Sequence, residues 1–169
     1  MDKITKSSLL AYALSDEGKQ LLSRKTKVER DYERWTHPEI KQAIEFVQNP
    51  DNNAAGLAAP QIGIDQSWFV AKKGREQKVV VVINPTIVGR MGNKQHIESC
   101  FSELLPARVK RAKEITVKYE TFSYGENGAV LLDDVKENLD GLDAQVFQHE
   151  YDHLLGILIA KRGVVIKKE

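Results

Sequence analysis

The chain has 169 residues, 41% hydrophobic and 29% charged, with a formal net charge of +1. That is one domain's length with a globular composition, which excludes a disordered polypeptide and gives no broad electrostatic case for nucleic acid or anionic membrane. No apolar run approaches the roughly 20 residues that span a bilayer, and the lone Cys100 excludes an intrachain disulfide.

Ser7 to Leu14 and Gly18 to Ser23 predict two short helical pieces. The first twenty residues fit neither a secretory signal nor a transit peptide, so a cytoplasmic protein is expected. Pro38 opens a clearer helix, with Ile40, Ala43, Ile44 and Val47 at helical spacing, and Asn49-Pro50 ends it. Asn52 to Gly63 is dominated by small residues, which let a backbone approach a ligand closely. Gln61 stands out in it as an amide donor. Trp68 to Lys72 and Lys78 to Asn84 predict strands. The β-branched run Val79 to Ile83 is expected to be buried on both faces. Asn84-Pro85 ends that strand, Thr86 to Gly89 continues as another, and Met91 to Lys94 predicts a turn.

Arg108 to Lys113 is a basic cluster expected on the solvated surface. Glu114 to Glu120 alternates as a half-buried strand does, Gly125 to Gly128 is turn chemistry, and Ala129 to Leu132 returns as the partner. The last long helix is predicted from about Leu139 to Leu155, with Gly156 ending it. Leu142, Val146, His149 and His153 share one stripe of it, which makes its histidine face internal. Ile157 to Ala160 is a short apolar piece and Lys161 to Glu169 a charged tail. No repeat or linker divides the chain, so residues 1–169 are expected to form one catalytic domain.

The chemistry concentrates in Gln148-His149-Glu150-Tyr151-Asp152-His153. On a helix, residues four apart share a face, so His149 and His153 can bind one metal ion, with Glu150 beside them as a base for water. A catalytic site needs a third protein ligand and an open position. Cys100 is the only thiol and completes a Cys-His-His set. Gln61 is the natural donor to the oxygen of an attacked carbonyl.

With those residues in view, the sequence resembles the peptide deformylase family. Gly56-Leu57-Ala58-Ala59-Pro60-Gln61 is similar to that family's GxGLAAPQ, Glu98-Ser99-Cys100-Phe101-Ser102 to its EGCLS, and Gln148 to His153 to its QHExDH. The resemblance covers about residues 36 to 160. It implies an α+β fold with antiparallel strands around a central metal-binding helix. It implies removal of the formyl group from formyl-methionyl nascent polypeptides, releasing formate. Cys100, His149 and His153 would be metal ligands and Glu150 the general base and acid. Gln61 and the Phe101 N–H would hold the formyl oxygen. Ala54, Gly56, Ser99, Arg108, Leu142 and Val146 would border the substrate. One divalent ion is implied, Fe(II) in the cell, with zinc, nickel or cobalt as substitutes. The partners implied are formylated nascent peptides, with ribosome contact by the basic cluster left open, and neither membrane nor specific nucleic acid.

Three positions depart from the motifs: Ala54 and Ser99 replace glycines, and Phe101 replaces leucine. Side-chain atoms at Ala54 and Ser99 are expected to narrow the cleft. His96 and Gln145 stand where the family tends to be apolar near its methionine pocket. These departures motivate an alternative, a catalytically weak homologue with altered substrate preference or a metal- or peptide-binding role. A general zinc peptidase and a plain α+β binding domain are further alternatives.

Overall fold

The computed structural model describes residues 2–28, 38–124 and 130–167. Three helices come first: α1 (Lys6–Leu14), α2 (Asp16–Leu22) and α3 (Pro38–Gln48). Strands β1 (Gly56–Ala58), β2 (Trp68–Lys73), β3 (Lys78–Met91), β4 (Lys94–Glu98), β5 (Ala107–Arg111), β6 (Glu114–Tyr124) and β7 (Val130–Asp140) follow. The chain closes with α4 (Gly141–Leu154), α5 (Ile159–Arg162) and β8 (Val164–Val165). The strands form a five-stranded sheet, β1-β2-β3-β6-β7, and a three-stranded sheet, β4-β5-β8. Every pairing is antiparallel. This is the expected α+β class.

The larger sheet is buried on both faces at its centre, because neighbouring residues of β2 enter different cores. Trp68 and Val70 join Val81, Ile83 and the buried stripe of α3, namely Ile40, Ala43, Phe46 and Val47. Phe69 and Ala71 join Val82, Ile115 and Val117 against Ala144, Val146, Phe147 and Leu154 of α4. Phe69 and Phe147 meet edge to face, with ring centroids 5.1 Å apart. The α4 helix is therefore held on its apolar side by a rigid sheet. At the chain's start, the Thr5 hydroxyl accepts from the Ser8 N–H and Ser15 caps α2 in the same way.

Several expectations are corrected. Strand β3 does not end at Asn84-Pro85. Asn84 takes φ +48° and the pairing with β6 skips between Ile83 and Thr86. That bulge accommodates a residue without an N–H. Of the β-branched run, Val81, Val82 and Ile83 are buried, whereas Val79 and Val80 lie next to the turn that joins β2 to β3 and are half-buried. Strand β7 runs on to Asp140, so α4 starts at Gly141 and not at Leu139. The supposed tail contains the end of α5 and β8, whose Val164 and Val165 pair with Arg108 and Ala107. Arg108 to Lys113 is not simply surface. Strand β5 alternates, so Arg108 and Lys110 face solvent while Arg111 turns inward and is 3% exposed. The turn expected at Gly125 to Gly128 lies outside the described residues.

Candidate active site

Two segments bring the candidate ligands together. Cys100 lies in the turn after β4, and α4 presents His149 and His153 one helical turn apart. One ligand atom from each lies within 4.8 Å of the others. The Cys100 Sγ and His153 Nε2 are 3.4 Å apart. Around a tetrahedral ion with ordinary metal–sulfur and metal–nitrogen bonds, sulfur and nitrogen ligands stand about 3.6 Å apart. The residues present thus fit a divalent metal ion.

A buried set of charges fixes the histidines. Glu98, at the end of β4, faces His149 Nδ1 at 2.9 Å, leaving Nε2 for a metal. The same carboxylate accepts two hydrogen bonds from Arg111, at 3.0 and 2.7 Å. Arg111 also pairs with Asp152, which Arg162 grips from the other side. Burial alone would raise the Glu98 pKa, but the hydrogen bonds from His149 and Arg111 outweigh it and hold it at about 2. Burial also opposes charge on His149, yet its contacts with Cys100 and Glu98 raise its pKa. His153 is held well below the usual imidazole range by burial, then by the charges of His149 and Arg111. Gln148 ties α4 to the small sheet: it accepts from the Ala112 N–H at 2.9 Å and donates to the Ala112 and Ala144 carbonyls. The roles of Glu98, Arg111 and Gln148 were not anticipated. The alternation of Ala107, Val109 and Arg111 was the available signal for Arg111.

Glu150 is buried, and among the described residues its Oε2 has no hydrogen-bond partner. Burial raises its pKa to about 7; His149 and Arg111 oppose that and Glu98 adds to it. Space for it depends on Gly56. A Cβ there would meet Glu150 Oε1 at 2.9 Å and the Val70 carbonyl at 2.9 Å. Gln61 is oriented from both ends: its oxygen accepts from the Ala58 N–H at 2.9 Å. Its Nε2 donates to Ser102 Oγ at 3.0 Å and lies 3.8 Å from the Cys100 sulfur. The Phe101 ring packs edge-on against Phe46, with centroids 5.2 Å apart.

A cavity of about 440 Å³ opens over this group. Its lining includes Gly56, Ser99, Phe101, Leu142, Val146 and Gln145, but not Ala54, His96 or Arg108. Ala54 is buried in the α3 core, so its methyl does not narrow the cleft. Arg108 lies on the exposed face of β5. The Gln145 amide donates to Glu98 Oε2 at 3.3 Å.

The family model for polypeptide deformylase matches residues 14–169. A peptide deformylase of Thermotoga maritima is 36% identical over 155 residues, covering 89% of this chain and 86% of the relative. A crystal structure of the T. maritima enzyme superposes with a TM-score of 0.71 at 34% identity, covering 86% of this chain and 92% of that one. A Synechococcus elongatus peptide deformylase crystallised with actinonin superposes at 0.66 with 30% identity, covering 85% and 76%. Family and site agree on an enzyme that uses a divalent metal ion to remove N-terminal formyl groups from nascent peptides, and the chain belongs to the peptide deformylase family.

Proposed function

We propose that Cys100, His149 and His153 hold one divalent ion, Fe(II) in the cell, and that Glu150 moves the proton in formyl hydrolysis. The observation that carries this is the unpartnered, buried Glu150 oxygen beside a Cys-His-His set open to a cavity. A divalent ion there supplies Lewis-acid activation of water at neutral pH. Glu150 accepts the water's proton and delivers it to the departing α-amine, while formate leaves. The Gln61 amide is locked with its N–H₂ toward Cys100, so it donates to the formyl oxygen as charge develops. The Phe101 N–H, which has no acceptor among the described residues, is the second donor. Gly56, Ser99, Leu142 and Val146 line the space for formyl-methionine.

We place the protein in the cytoplasm as a single catalytic domain over residues 1–169. No described helix is long and apolar enough to cross a membrane. Ribosome contact falls to Arg108, Lys110 and Lys113, the exposed members of the basic cluster. The test is formate release from a formyl-Met peptide together with metal analysis. Glu150→Gln should keep its metal and lose on the order of a hundredfold or more in turnover. Cys100→Ser should lose metal. Near-normal turnover in Glu150→Gln would remove Glu150 from the mechanism.

A further inference from the structure

Lys6 opens α1 and lies before residue 14, where the family model begins to match. Its side chain nevertheless lines the candidate active-site cavity, beside Asn52 and Asn53. The ammonium is held there by one hydrogen bond, to the Asp51 carbonyl at 3.1 Å. An ammonium has three donors, so two remain. Among the described residues it has no carboxylate partner within ion-pair distance, and no other Lys or Arg lines the cavity. The other charged residues of the lining, Glu98, His149 and Glu150, are gathered around the metal ligands. Among the described residues, the cavity thus has a single free lysine or arginine, and it is not one of the candidate metal ligands.

The distance is bounded by the chain. Asp51, which anchors Lys6, is five residues from Gly56, which touches Glu150. Five residues span at most about 18 Å. An extended substrate rises at nearly the same rate per residue, so Lys6 lies within about five residues of the formyl group.

We propose that Lys6 is a specificity-determining residue that pairs with a carboxylate on the substrate peptide downstream of the formyl-methionine. This rests on the deformylase reading of the cavity. The carboxylate is an aspartate or glutamate side chain or, on a short peptide, the free C-terminus. An ion pair at a solvent-accessible rim is worth about two- to fivefold in binding.

The experiment measures kcat/KM on formyl-Met-(Ala)4 amides carrying one Asp, or the matched Asn, at each of the second to fifth positions. The all-Ala peptide is included as free acid and as amide, which separates side-chain from C-terminal carboxylates. The wild type should favour Asp over Asn at one position, or acid over amide, by about two- to fivefold. Lys6→Met should bring that ratio to one and Lys6→Glu should invert it, with the all-Ala amide turned over equally by all three. Lys6→Arg should keep the preference. Ratios of one throughout in the wild type, or a preference unchanged in Lys6→Met, would overturn the proposal. Calorimetric binding of the deformylated peptides repeats the comparison without turnover. A Lys6-dependent Asp preference there, with no formate released, would uphold Lys6 and sink the deformylase reading.

Discussion

Adding one methyl group at Gly56 tests how tightly the catalytic carboxylate is seated. In Gly56→Ala the new Cβ would stand 2.9 Å from Glu150 Oε1, 3.0 Å from Glu150 Cγ and 2.9 Å from the Val70 carbonyl. Ordinary carbon contacts lie at about 3.5–4.0 Å, so roughly half an ångström or more must be found. On one side the obstacle is the backbone of β2, paired with β1 through Leu57 and Val70. The other is a buried side chain with one oxygen lacking a partner, so Glu150 is what gives. A displacement approaching 1 Å at a reacting group costs on the order of a hundredfold in rate. Overpacking a core site costs about 1–3 kcal/mol. At about 2–4 °C per kcal/mol for a domain of this size, Tm should fall by roughly 2–12 °C. The assays are formate release, metal content and a thermal melt on the same preparation. Metal should stay bound, because the three atoms nearest that methyl group belong to Glu150 and Val70, and none to a metal ligand. Turnover within twofold of wild type in a protein that holds its metal would refute this account of Gly56.

Arg111→Met should destabilise the fold by about 3–5 kcal/mol, because Glu98 and Asp152 stay buried after losing their shared cation; denaturant unfolding checks it, and a loss under 1 kcal/mol would show the network to be dispensable. At alkaline pH the group to watch is Tyr119, whose hydroxyl donates to Glu137 at 2.7 Å. Burial, then Glu137, raises its pKa above the usual 10.0. The unfolded chain releases that proton near pH 10 and the folded one keeps it, so stability should fall as pH rises above 10. Tyr119→Phe should show a shallower alkaline decline in Tm, and parallel curves would exclude Tyr119 as its source.

The parts of the site that were legible in sequence carry rare chemistry at fixed spacing. His149 and His153 could be placed on one face without knowing what that face met, and Cys100 had no rival as a thiol. What was hidden depends on which way common residues point. Arg111 was lost inside a run of basic residues, although Ala107 and Val109 before it mark the inward face of β5. Glu98 was visible as a motif member, but its double use by His149 and Arg111 needs two strands and a helix in contact. Gly56 was read as making room for substrate, yet the nearest group is the catalytic Glu150. Strand β7 was cut short because Asp133, Asp134, Lys136 and Glu137 look like loop, whereas charges are common on the edge strand this proves to be. The first 35 residues gave no site residue, because Lys6 reaches the cavity only once α1 is docked beside the Asp51 turn.

The Gln148 amide bonds Ala112 through both its N–H and its carbonyl, as a neighbouring strand would. With the Arg111 bonds to Glu98 and Asp152, it fastens α4 to the sheet from which Cys100 emerges. The two halves of the ligand set are thus assembled by contacts that include no metal. In small zinc domains the ion's binding energy is folding energy, and chelators denature them. Here the scaffold stands by its own packing, so a chelator should yield an inactive protein that is still folded. The ion then becomes an exchangeable part, and which metal occupies the site follows from supply and ligand preference, with the fold indifferent to the choice.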